Sequence, residues 1–113
     1  MTHALRTAQI IVPARNNAGY GLADLRTWVQ KTLVEDFGGF TATHSFGGWK
    51  SPDGTVVTEA VMVYTIAMED LPINVQRLHH IARIVVEDAQ QEAVYVQNPN
   101  GTICFITAND TTA

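Results

Sequence analysis

Two long runs of β-forming residues joined by Ser51-Pro52-Asp53-Gly54-Thr55 constrain this chain more than any other feature. Proline presets the first central dihedral of a turn, aspartate suits the second, and Gly54 supplies the positive φ of a bulge. On the near side, from about Phe40 to Trp49, Phe40, Ala42, His44 and Phe46 alternate with Thr41, Thr43 and Ser45. Successive side chains of a strand point to opposite faces, so this spacing predicts one strand with two distinct sides. On the far side, Thr55 to Ala67 is rich in Val, Thr, Ile and Tyr and predicts its partner. The chain must therefore contain an antiparallel hairpin, and the remaining elements have to be arranged around it.

Those elements read in a simple order. Ala8-Gln9-Ile10-Ile11-Val12, within about Leu5 to Val12, predicts a first strand ended by Pro13. A loop follows from Pro13 to Gly21. Leu22, Leu25, Val29 and Leu33 then recur at steps of three and four, with Trp28 widening the stripe, and predict a helix from Leu22 to Phe37. Gly38-Gly39 ends it, because glycine tolerates the left-handed conformation past the last turn. After the hairpin, Asp70 is the expected N-cap of a second helix with Pro72 in its first turn. This helix runs to about Ala89, with Leu71, Val75, Leu78, Ala82 and Val85 on one face. Glu92 to Gln97 is a fourth strand, Asn98-Pro99-Asn100-Gly101 repeats the turn logic, and Thr102 to Ile106 returns as a short fifth. Asn109 to Ala113 is polar and expected to fray.

The order β-α-β-β-α-β is the split βαβ, or ferredoxin-like, pattern of α+β domains: an antiparallel sheet with both helices on one face, here with a C-terminal hairpin strand. At 113 residues there is room for a single domain, residues 1–113, with an ordered core over about 5–107. The other sheet face must then meet solvent, a partner chain or a ligand.

Composition removes several classes of function. A net charge of −4, with only seven basic residues, opposes sequence-independent nucleic-acid binding, which draws on Lys and Arg to displace counterions. No apolar run approaches the roughly 18 residues that a membrane span needs. The single cysteine, Cys104, excludes an internal disulfide and any cysteine-cluster metal site. The opening residues show no basic run followed by an apolar stretch, so no leader and a cytoplasmic location are expected.

Several local features together resemble a family of small bacterial proteins with no assigned function. The residues concerned are Phe46-Gly47-Gly48-Trp49-Lys50, Pro52-Asp53-Gly54, Glu59, Gln91-Glu92-Ala93-Val94 and Cys104-Phe105, spread over about residues 37–106. The resemblance implies a ferredoxin-like fold, in agreement with the element order. It implies no reaction, substrate or cofactor.

Candidate functional residues are few, and each has a plain structural alternative. Glu59 shares a strand face with Val57, Val61 and Val63. If buried there, it would suit acid–base work or binding of a cation; near the hairpin end it would instead meet water or Lys50. His44 could approach Glu59 across the hairpin, although counting out from the turn sets Glu59 nearer Phe46 and Ser45, so a direct pair needs a shift of about one residue. Trp49 and Lys50 flank the hairpin tip, where an aromatic beside a cation suits contact with a partner or ligand. Trp49 could equally fold back over the sheet edge. Arg15, near Gly19-Tyr20-Gly21 and the start of the first helix, could serve an anion, or the glycines could simply permit a turn. His79 and His80 are neighbours pointing about 100° apart, which does not hold one metal from one face. No metal site and no cofactor are expected, and Cys104 reads as a small core hydrophobe. The pattern favours a non-enzymatic interaction domain, as a homo-oligomer or with a protein partner, and without nucleic acid or membrane. The competing expectation is a small enzyme or small-molecule-sequestering protein with a pocket on the helix-free sheet face, served by Trp49, Glu59, His44 and Arg15.

Overall fold

The computed structural model describes residues 4–16 and 21–109. Five strands and two helices follow the chain as β1 (Arg6–Pro13), α1 (Ala23–Phe37), β2 (Thr41–Lys50), β3 (Val56–Met68), α2 (Pro72–Asp88), β4 (Ala93–Gln97) and β5 (Ile103–Thr107). The sheet order is β2-β3-β1-β4-β5, and every neighbouring pair is antiparallel. This is the ferredoxin-like arrangement extended by β5 at one edge.

Register follows the side-chain alternation. Ile10 stands level with Tyr64 on one side and Val96 on the other, and Val96 with Cys104. Residues level with one another share a sheet face. Ala8, Ile10, Val12, Met62, Tyr64, Ile66, Val94, Val96 and Ile106 therefore form one apolar surface, which is buried. Onto it pack Leu25, Val29 and Leu33 of α1 and Leu78, Ile81, Ala82, Val85 and Val86 of α2. Each fully buried large aliphatic side chain contributes about 1.5–3 kcal/mol relative to exposure, so this layer dominates the stability. Within it, Gln30 Nε2 donates to the Tyr64 hydroxyl at 3.0 Å, and Phe40 meets the Tyr64 ring edge-on at 5.4 Å. Burial pushes the Tyr64 phenol pKa up, with the hydrogen bond from Gln30 opposing it.

The helix boundaries have local causes. Gly38 adopts φ +88° and returns its N–H to the Val34 carbonyl, which ends α1. Pro72 opens α2, but the residue ahead of the helix is Leu71 in extended conformation, with no side-chain cap. Asp70 is not the N-cap, and Leu71 lies outside the helix and exposed instead of on its buried face. Ile81 and Val86, which the predicted face did not include, are buried on the same side beside Leu78, Ala82 and Val85.

Candidate functional site

The face of the sheet turned away from the helices is not uniformly open. β3 outruns β1, whose last residue, Pro13, stands level with Val61. Beyond that point β2 and β3 continue alone as a hairpin. The segment entering β4 supplies the facing wall with Gln91–Ala93. Between hairpin and segment lies a groove of about 630 Å³, within the range of small-molecule sites. Its floor is apolar: Ile11, Pro13, Val61 and Val63. Val61 keeps only 7% of its surface exposed although no helix covers it.

Aromatic and acidic groups stand around that floor. Trp49, level with Val57, and Glu59, level with Gly47, come from the hairpin. Tyr95 and Phe105 come from β4 and β5, level with each other and with their rings edge-to-face at 5.8 Å. Glu92 and Gln91 complete the opposite wall. Glu59 is half-buried, Glu92 exposed. Among the described residues the lining holds two carboxylates and no lysine, arginine or histidine.

The groove brings together part of the expected set. Trp49 and Glu59 both line it, so Glu59 does sit in the apolar row of Val57, Val61 and Val63. His44 does not join them: it stands level with Met62, on the helix-side face, while Glu59 stands level with Gly47. His44 and Gly47 are three positions apart on β2 and so face opposite sides, and a direct pair with Glu59 would need a register shift of three residues, not of about one. Lys50, level with Val56, likewise points to the other face. Arg15 is exposed, bridges to Gly21 and lies outside the lining. The glycine loop itself, at Gly19 and Tyr20, lies outside the described residues. Phe46 borders the groove, although by register it belongs to the opposite face.

Of two further contributors, Tyr95 was not singled out from sequence and Phe105 entered only with the family resemblance. Their signal was present in Val94 and Val96 alternating with Tyr95: once the valines face the helices, the tyrosine must face away. Most residues that carried the family resemblance meet at this groove, namely Phe46 to Trp49, Glu59, Gln91 to Val94, and Phe105.

The remaining candidates are structural. Asn98, 6% exposed, accepts from His79 Nε2 at 2.7 Å and donates to Thr102 Oγ1 at 3.0 Å and Cys104 Sγ at 3.3 Å. His79 and Cys104 thus pin the β4–β5 hairpin to α2. His80 is exposed. Among the described residues no group of three or more His, Cys, Asp or Glu is placed to hold a metal ion.

No family model matches the chain, and no curated protein matches it in sequence. Two solved structures share its fold. One is a phage SAM lyase in complex with S-methyl-5'-thioadenosine, at TM-score 0.72 and 17% identity, over 99% of this chain and 96% of that one. The other is a phage SAM lyase in the apo state, at TM-score 0.70 and 18% identity, over 99% and 98% of the two chains. At this identity the likeness establishes the fold, which the chain shares from end to end.

Proposed function

We propose that the groove on the helix-free face binds a cationic small molecule, and that the chain is a small lyase acting on a sulfonium such as S-adenosylmethionine. The observation that carries this reading is the charge of the lining: two carboxylates, aromatic rings and no basic side chain. An anionic ligand finds no partner there. A cation finds Glu59 and the faces of Trp49 and Tyr95, the combination of carboxylate and aromatic ring that recognises onium groups. The shared fold with SAM lyases, one of them holding S-methyl-5'-thioadenosine, supports the choice of sulfonium.

The chemistry suits such a surface. Breaking the bond between sulfur and the methionine-derived chain returns the electron pair to sulfur and leaves a neutral thioether. As that bond breaks, the substrate's own carboxylate oxygen bonds to the carbon that sulfur leaves, giving a lactone, so no outside reactant is required. Positive charge on sulfur falls along this path, and an apolar floor that poorly solvates the sulfonium favours the change. Glu59, attracted to the charged substrate more than to the neutral product, acts chiefly in binding and orientation.

Incubation with S-adenosylmethionine, followed by chromatography for S-methyl-5'-thioadenosine, tests the reading. Glu59→Gln keeps the shape and removes the charge, and substrate affinity is expected to fall about tenfold or more with the fold intact. Wild-type protein that neither binds nor consumes S-adenosylmethionine would remove the proposal.

A second reading concerns assembly. Phe46 and Val56 of the projecting hairpin are 72% and 68% exposed, which favours a homo-oligomer in which another copy of the chain covers them. We place the protein in the cytoplasm, in keeping with its single cysteine and with the absence, among the described residues, of a helix long and apolar enough to cross a membrane. Membership of the small bacterial family resembled above belongs to the same proposal.

A further inference from the structure

Gly47 sits in the middle of β2, a position where glycine weakens a strand and contributes no side chain to packing. Neither usual reason for a glycine applies. The left-handed glycines among the described residues are Gly38, Gly54 and Gly101, so no positive φ demands it. Nor does crowding: a Cβ at Gly47 would meet nothing nearer than Val61 Cγ1 at 3.8 Å, an ordinary contact. That same contact shows where the Cβ would point, toward the groove floor.

The neighbours of this bare spot are specific. Glu59 stands directly across the ladder from Gly47. In an antiparallel pair, side chains so placed rise about 5 Å apart on one face. Trp49 follows two residues along β2 on the same face, and both Trp49 and Glu59 line the groove with Gly47. The missing side chain therefore leaves a vacant place bounded by a carboxylate on one side and an indole on the other.

We infer that Gly47 is the seat of the ligand's positive charge, kept free of a side chain so that the onium centre rests on the β2 backbone between Glu59 and Trp49. This rests on the reading of the groove as a sulfonium site and assigns within it the position of the charged atom. The group above Gly47 gains the coulombic attraction of Glu59 and the indole of Trp49 together; Val57, the lining position that also adjoins both, carries a side chain of its own. Gly47 is thus a specificity-determining residue for charge, acting by the space it leaves.

Two uncleaved probes of similar shape isolate that charge: sinefungin, with an ammonium in place of the S-methyl group on a carbon that replaces sulfur, and S-adenosylhomocysteine, a neutral thioether. Wild-type protein should bind sinefungin more tightly. Gly47→Val, a substitution favourable to strand structure, should melt no lower than wild type, lose about tenfold in sinefungin affinity and lose its preference between the probes. Glu59→Gln should lose the same preference by another route. Thr43→Val, on the same strand face but outside the groove, should keep it. If Gly47→Val melts lower, Gly47→Ala carries the same comparison with a smaller shift. Unchanged preference in the Gly47 variants, with wild type binding, overturns the seat alone. Wild type binding neither probe nor S-adenosylmethionine overturns the groove reading together with it.

Discussion

Asp53 and Asn100 solve the same local problem with different chemistry. In the first turn the Thr55 N–H donates to Asp53 Oδ1 at 2.9 Å, and the Ser51 hydroxyl donates to the same oxygen. In the second, Thr102 N–H donates to Asn100 Oδ1 at 2.9 Å. Each turn ends on a left-handed glycine, Gly54 or Gly101. The hydrogen bond from Ser51, then those from Thr55, lowers the Asp53 pKa from 3.8 to about 2. A depressed carboxylate pKa favours the fold above its unfolded value, and that contribution fades as pH falls from about 4 toward 2. The Thr55 amide shift should therefore titrate near pH 2, whereas Asp53→Asn, which copies Asn100, should remove the titration and keep the turn. A Thr55 amide that still titrates in Asp53→Asn would assign the transition to another group. At Asn98 the hydrogen bonds tie one amide to His79, Thr102 and Cys104. Asn98→Ala should cost about 1–3 kcal/mol in chemical denaturation, since it strands buried partners. Nothing in the sequence reveals this hub, because one of its partners, His79, comes from another element 19 residues away.

Among the elements, helices and strands were legible where their period was clean. The spacing of Leu25, Val29 and Leu33 locates α1, and Pro-Asp-Gly locates the long hairpin. The start of α2 was not, because Asp70 is a better capping residue than Leu71 and propensity alone selects it. The structure instead places Leu71 before the helix, its carbonyl accepting from the Asn74 and Val75 N–H groups. The consequence is measurable. Ile81→Ala empties a site with no exposed surface and should cost about 2–4 kcal/mol by urea denaturation. Leu71→Ala, at an exposed position, should stay within about 0.5 kcal/mol. Equal losses at the two positions would contradict the observed helix start. The groove was half legible for a related reason. Alternation along β3 sets Glu59 on the helix-free face, but whether His44 shares it depends on the hairpin register. Counting out from the turn placed Glu59 nearer Phe46 and Ser45; the register sets it level with Gly47.

On the scale of the whole molecule, the sheet is longer than the layer that covers it. α2 lies over β1, β4 and β5, and α1 over β3, so the far end of the β2–β3 hairpin projects past both. The molecule measures 51 Å along its long axis against 25 and 24 Å across. The projecting end carries Phe46 and Val56 on the helix-side face, and β2 is also an edge strand with unpaired backbone groups. Edge strands are commonly blunted by charge or proline, yet over its ten residues β2 carries only Lys50 and His44 as ionisable groups. A second copy of the chain would cover both liabilities at once. Sedimentation equilibrium should accordingly show concentration-dependent association of wild type. Phe46→Ser combined with Val56→Thr should shift it to monomer, with the hairpin still folded, since both side chains have little contact to lose in the isolated chain. Val56 lies outside the groove lining whereas Phe46 borders it, so a dissociated Val56→Thr single variant should bind S-adenosylmethionine as wild type does unless a neighbouring copy completes the site. Loss of binding on dissociation would thus place the ligand between copies, whereas a wild type that is monomeric at every concentration withdraws the assembly and leaves the groove to act alone.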